Sequence, residues 1–410
     1  MQTNQKNSFQ PLDKLLLLCA RIDITPGDQE EIKRILGEKI DFELLLQKSY
    51  WHRISVLVAR TLMLSYFRDL IPAELQTKLK EIRYHNLARN IVLQDELTRI
   101  LTLFKNENIN AIVLKGAALL DSVYKDISLR PMGDLDILIE EKDLLRAEEL
   151  VLQQGYQYRV SQQLQDETRE DCRHLANLWH KEKNVMLEIH HHIVSPGDPY
   201  YFDIEGFRVR AQSTTISGSK APIFSPVDML LHLTINFLLD RRFQSVKALG
   251  QLCDISEIIK HYGDKLDWDL LEKTAKEYRL TPSLHFVLYA CEQLFGTPVP
   301  HSFMHSIEPS NFNPQDAGQF IRRRVLDTKP WLAHGLADSG KTLPNKGAFI
   351  AIISRLRKTL AAFFKDDKGA EKKKLTLREI FKRSNQVLFH PSEFRQDLQL
   401  DRWLHNLQHD

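Results

Sequence analysis

Leu, Ile and Val recur every three or four positions through the first hundred residues, with charged side chains between them. LDKLLLLCARI, DFELLLQKSYWHRISVLVARTLML and LQTKLKEIRYHNLARNIVLQDELTRILTLFKNENI all carry this spacing. It is the mark of amphipathic helices, one face buried and the other wet. At Asn108 the pattern changes. INAIVLK is a short β-branched run, GAALLDSVYK reads as a helix, DLDILI as a second strand, EKDLLRAEELVLQQG as a helix closed by Gly155, and NVMLEIHHHIV as a later strand. Helical periodicity returns in SPVDMLLHLTINFLLDRRF and YGDKLDWDLLEKTAKEYRLTPSLHFVLYACEQLFG. After GTPVP the chain is less regular, and KDDKGAEKKK reads as a solvated loop. This order predicts an α+β protein: a small mixed-sheet core over residues 108–213, between a helical N-terminal region (1–107) and a helical domain (214–300). A mostly helical C-terminal region with a charged loop (301–410) follows. No repeat of fixed period is present.

Composition narrows the partners. With 410 residues, 43% of them hydrophobic, the chain can bury a sizeable core without staples. Its 56 basic and 54 acidic residues leave a formal charge of +2, so no global field points to an extended nucleic-acid surface or an anionic membrane. Cys19, Cys172, Cys253 and Cys291 lie far apart with no CxxC pair, which suits free thiols in a reducing compartment. The N-terminal segment has no basic stretch followed by an apolar core, and no apolar run approaches a bilayer span. These features predict a soluble, cytoplasmic protein with no membrane partner.

One pair of residues breaks the apolar logic of its strand. Asp134 and Asp136, in RPMGDLDILI, stand at i and i+2 and so share one face, among Leu135, Ile137, Leu138 and Ile139. They could edge a solvated face, or Asp134 could merely end a turn after Pro131 and Gly133. Carboxylates set in apolar surroundings, however, require a cation or hydrogen-bond donors. Glu188, in VMLEIHH, offers a third acidic group on another strand. Upstream, Lys115 and Gly116 stand between a strand and a helix start, where free backbone N–H groups can receive phosphate. Three carboxylates beside a phosphate cradle describe a magnesium-dependent phosphoryl-transfer site.

These motifs resemble the DNA polymerase β-type nucleotidyltransferase superfamily, and more closely a bacterial family of uncharacterised nucleotidyltransferases. IVLKGAAL stands at the turn, RPMGDLDILI carries the DxD and MLEIHHHI supplies the third acid; RNIVLQDELTRIL, FSPVDMLLHLTINF and LCDISEIIKHYGDKLDWDLL extend the likeness over roughly residues 51–296. The wider superfamily has Gly followed by Ser at the turn, where this chain has Lys115 followed by Gly116, the form of the narrower family. The resemblance implies a nucleotidyltransferase core at 108–213 and a substrate or acceptor domain at 214–300. It implies Asp134, Asp136 and Glu188 as catalytic residues and ligands of Mg²⁺ (or Mn²⁺), and Lys115 and Gly116 against the phosphates of a nucleoside triphosphate. Arg130 would contact phosphate or orient the DxD loop, or be a surface arginine next to Pro131. The implied reaction moves a nucleoside monophosphate to an acceptor hydroxyl on a small molecule, sugar or protein. The alternative is a catalytically weak nucleotide-binding or protein-interaction module with the same fold.

Other motifs compete with this reading. Glu188, His190 and His192 share a strand face, and with His174 or His180 they could form a zinc site of a hydrolase. More simply, His190 stands beside the magnesium site, and His180 either reaches substrate or lies on the surface. GLADSGKT, residues 335–342, fits a P-loop letter for letter, but DTKPWLAH before it is no buried strand, and Pro344 and Gly347 oppose the helix a P-loop needs. In the 214–300 segment, Arg241, Arg242, Lys247 and Asp254 could form a polar wall facing the site.

Overall fold

The computed structural model describes residues 9–326, apart from 163–164, 167–171, 197, 199 and 243–247. The 335–342 motif and the 365–374 charged run lie outside the described residues, as do Lys247 and the side chains of Arg241 and Arg242. The protein is α+β. Contacts divide the chain into two compact units. The first runs to Phe312, apart from residues 240–246; of the second, the described part includes the helix Pro314–Phe320 and a π-helical turn, Ile321–Leu326.

Within the first unit the helical periodicity becomes helices Pro11–Cys19, Phe42–Trp51, Ser55–Leu62 and the 34-residue Ala73–Asn106. The run at 41–64 is two helices because Arg53 takes a left-handed φ of 56° between them. A further helix of this expected helical region, Pro26–Leu36, lies between the first two. It is opened by a capping box in which Thr25 accepts from the Asp28 N–H and Asp28 accepts from the Thr25 N–H, with proline in the first turn.

One mixed sheet of seven strands carries the site. The strands are β1 (Ile112–Val113), β2 (Asp134–Leu138), β3 (Tyr156–Tyr158), β4 (Leu178–His180), β5 (Val185–His190), β6 (Gln212–Ile216) and β7 (Ser219–Ile223), in the spatial order β3-β4-β5-β2-β1-β7-β6. The sheet therefore continues past residue 213. β2 is central, antiparallel to β1 and parallel to β5. A strand in that position is covered on both faces, which is why Leu135, Ile137 and Leu138 are all inaccessible. The two parallel partners β2 and β5 pair in register, Asp136 opposite Glu188 and Asp134 opposite Met186.

The long helix Ala73–Asn106 fixes the loop that leads into β2. The Asn90 amide donates to the carbonyls of Ile127 (2.6 Å) and Arg130 (2.8 Å), the Asn86 amide to Ser128 (2.9 Å), and Arg89 to Gly133 (3.3 Å). Loop carbonyls taken out of water need such donors. Their spacing along one helix face sets where Arg130 and Asp134 begin. Among the described residues no helix is long and apolar enough to cross a membrane.

Candidate active site

The site starts where β1 ends. The Leu114 N–H donates to the Asp136 carbonyl at 3.0 Å, which places the next residue against the middle of β2. Lys115 then turns with φ +47°, a left-handed conformation that costs a non-glycine residue on the order of 1–3 kcal/mol. Its ammonium reaches Asp136 Oδ1 at 2.5 Å and Glu188 Oε2 at 3.6 Å. His190, two residues beyond Glu188 on the same face of β5, puts Nε2 3.0 Å from Asp136 Oδ1 and 3.5 Å from Glu188 Oε2. The Asn177 amide donates to the other Glu188 oxygen at 2.9 Å. Asp136 is 4% exposed and His190 1%. One ligand atom from each of Asp136, Glu188 and His190 lies within 4.8 Å of the other two, a grouping that could hold a metal ion.

Asp134 stands outside that group, one strand step back and opposite Met186. Burial raises its pKa, and the charges of Asp136 and Glu188 raise it further, against the opposing pull of Lys115 and Arg53. Burial likewise works to raise Glu188, but Lys115 and His190 overrule it and hold that carboxyl well below the usual range. For Lys115 burial disfavours the charge, yet Asp136 and Glu188 more than compensate, so its ammonium is stabilised. The buried charges are thus matched by a lysine of the chain itself.

Arg130 is neither a surface arginine nor loosely placed. Its Nε donates to Asp254 Oδ1 at 2.8 Å and its Nη2 to Oδ2 at 2.7 Å, a planar two-point pair. The Tyr124 hydroxyl donates to the same Asp254 at 2.7 Å. Asp254 lies on the helix Ala248–Tyr262 and is buried. The pair pins the guanidinium over Gly116: a Cβ built there would sit 2.1 Å from Arg130 Nη1 and 3.2 Å from Met132 Cγ. Glycine at 116 therefore lets Arg130 lie against the backbone of the turn.

The remaining histidines do not complete a zinc set with Glu188 and His190. His192 Nδ1 accepts the Val194 N–H at 3.2 Å, and His191 Nε2 is 3.0 Å from the Cys172 carbonyl. His180 packs edge-on against Tyr156 and lies opposite Val185, at the start of β5, away from Glu188. His174 meets the His190 ring edge-on with centroids 5.0 Å apart, while its Nδ1 faces the Leu175 carbonyl at 2.7 Å. Burial, helped by His190, lowers the His174 pKa to about 4, so that ring is neutral at neutral pH.

Several contributors were not anticipated. Arg53, in the turn between two N-terminal helices, and Arg89, on the helix Ala73–Asn106, act on the charge of Asp134, and Asn177 and Arg173 flank β5. His232, on the helix Pro226–Arg242, is buried within reach of the charges of Lys115, His190 and Arg173; burial first, then those charges, push its pKa well below the ordinary value. None of these left a trace in the sequence; Arg53 lies inside a run that reads as continuously helical. An open cavity of about 380 Å³ lies past the ends of β2 and β5, lined in part by Glu140, His191, His192, Tyr201 and Arg208.

A central pair of parallel strands bearing buried carboxylates, closed by a lysine turn, defines an acidic site that could hold a cation. The chain belongs to the family described as uncharacterised nucleotidyltransferases, whose model matches residues 38–296. Comparisons with curated proteins and with solved structures gave no match.

Proposed function

We propose that the protein transfers a nucleoside monophosphate from a nucleoside triphosphate to a hydroxyl or similar acceptor, with a divalent cation, Mg²⁺ or Mn²⁺, held at the carboxylates. One observation carries the reading: Asp136 and Glu188 meet across adjacent parallel strands with a cationic group, the Lys115 ammonium, already seated on both. A positive group there supports a cation as the natural occupant of these donors. Asp136 and Glu188 would hold the ion and Asp134 would complete its surroundings. When bound, the ion supplies charge neutralisation for the phosphates and lowers the pKa of an acceptor hydroxyl.

The chain's own residues account for the rest. Released from Asp136, the Lys115 ammonium pairs with phosphate oxygens beside the turn, and Arg130, held by Asp254, adds a second positive group at Gly116. The acceptor oxygen bonds to the α-phosphorus, the α–β bridging bond breaks, pyrophosphate leaves, and the hydroxyl proton passes to a carboxylate of the site. Small molecules, sugars and protein side chains all carry the required hydroxyl.

The second reading is a nucleotide-binding or protein-interaction module with little turnover. Lys115 favours it, because a lysine that neutralises Asp136 and Glu188 gives the chain a structural use for them without catalysis. The deciding experiment incubates the protein with each labelled nucleoside triphosphate, Mg²⁺ or Mn²⁺ and a cell extract. Transfer of label by the wild type and none by Asp136→Asn supports the enzyme. Nucleotide binding without transfer in any extract supports the module.

A further inference from the structure

The donor atoms at the site are not all oxygen. Asp136 Oδ1 and Glu188 Oε2 are the two oxygens that the Lys115 ammonium contacts, and they are also the two nearest His190 Nε2. A cation replacing that ammonium meets two carboxylates and an imidazole. His190 cannot easily leave: it is 1% exposed, it continues the β5 ladder with its carbonyl accepting the Ile139 N–H at 2.9 Å, and His174 packs on its ring. We infer that Asp136, Glu188 and His190 form a mixed nitrogen and oxygen site that selects a first-row transition ion over Mg²⁺.

The chemistry of the ions supports that choice. Mg²⁺ demands near-ideal octahedral geometry and dehydrates reluctantly, whereas imidazole suits Fe, Ni, Cu and Zn ions; Mn²⁺, the weakest binder of that series and itself at home among oxygens, is the most stringent probe of the nitrogen donor. Three protein donors with positions left open is also the pattern of catalytic rather than structural metal sites. Lys115 acts as the resident counter-charge that any ion must displace. This deepens the functional reading by naming the ion of the same site, but it does not depend on transfer taking place. Nitrogen-ligated metal with no transfer refutes the transfer reading alone; transfer with an all-oxygen ion refutes the mixed site alone.

The test uses the full chain, stripped with chelator, and Mn²⁺ as the probe, read by electron paramagnetic resonance. Wild-type protein should bind Mn²⁺ with electron-spin-echo modulation from a directly bound nitrogen, and Mg²⁺ should displace it only in excess. Outer partners of a metal ligand are worth 10–100-fold in affinity, so loss of a ligand itself should cost about tenfold or more. His190→Gln should remove the nitrogen modulation and weaken Mn²⁺ binding by that factor, leaving Mg²⁺ binding little changed. Lys115→Met should tighten Mn²⁺ binding by freeing the two oxygens. The inference fails if the wild-type complex shows no nitrogen modulation, which needs no variant to fold. It also fails if Mg²⁺ competes at equal concentration, or if Lys115→Met leaves Mn²⁺ affinity unchanged.

Discussion

Replacing Asp254 with alanine tests whether the Arg130 clamp is a principal support of the site. The substitution removes both oxygens that hold the guanidinium, at 2.8 and 2.7 Å, and the acceptor of the Tyr124 hydroxyl. Arg130 would be left as a largely buried charge with no partner on that side, and breaking a buried pair in this way costs roughly 3–5 kcal/mol. Its side chain is 19% exposed, so water recovers a little of that, and about 2–4 kcal/mol is expected. Asp254→Asn keeps one oxygen for the Tyr124 hydroxyl but loses the charge, for about 1.5–3 kcal/mol. The assay is urea unfolding of the full chain, followed by circular dichroism at matched concentration, on both variants and on the double substitution Arg130→Met/Asp254→Leu. With neither charge left to bury, the double variant should recover much of the loss. An alanine variant within about 1 kcal/mol of wild type would refute the reasoning. So would a double variant no more stable than Asp254→Ala.

Two further substitutions probe the same neighbourhood. Asp134 has a raised folded pKa, so its stability contribution is highest below the unfolded value of about 3.9 and is lost as pH rises through the folded value. At neutral pH Asp134→Asn should therefore raise the melting temperature of the chelator-treated protein, and a lower one counts against the placement of its charge. Gly116→Ala should destabilise by roughly 1–3 kcal/mol through overpacking, because the new Cβ meets Arg130 Nη1 at 2.1 Å. In an Arg130→Met background the same change should cost less; equal costs in the two backgrounds would mean that something other than the guanidinium fills that space.

Helical periodicity carried most of the N-terminal fold because each helix buries one stripe, as the Ala73–Asn106 helix does with Leu79, Leu93, Leu97 and Phe104. The unforeseen elements are those with little periodicity to show. β3 and β4 have three residues each, too few for an alternation to register. The β6 to β7 hairpin turns on Ser217 and Gly218, both with positive φ, and the Ser-Gly pair was its only sequence signal. The helix predicted after Gly116 is present, but it widens to a π-helical turn over Leu120–Tyr124, which a fixed helical period does not foresee.

The site was legible where a residue type contradicted its strand, and illegible where placement depended on distant chain. Asp134, Asp136 and Glu188 declared themselves as carboxylates inside apolar runs. The resemblance implied that Glu188 joins Asp136, and the two strands do pair, but the register that sets Asp136 opposite Glu188 and leaves Asp134 opposite Met186 was not readable, since it is set by the packing of the segment between the strands. Asp254 is 124 residues from Arg130, and nothing local to either announces the pair. Lys115 shows the difference most sharply: next to a glycine it read as a phosphate ligand, whereas the fold turns it onto the carboxylates.

That placement has a consequence for how many ions the site takes. Asp134, Asp136 and Glu188 carry up to three negative charges, Lys115 returns one, and the Arg130 charge is already matched by Asp254. Counted over these four side chains, one divalent ion without nucleotide brings the group to neutrality; Arg53 and Arg89, which already offset Asp134, leave no negative charge for a second. The triphosphate changes the balance by bringing its own negative charge. We therefore predict one equivalent of bound ion in calorimetric titration of the protein alone, and a second only when a non-hydrolysable triphosphate is present. Asp134→Asn should leave the first equivalent in place, because Asp134 is not among the three converging ligands, and should weaken the second. Two equivalents bound without nucleotide would show that the carboxylates, and not Lys115, govern the charge of the site.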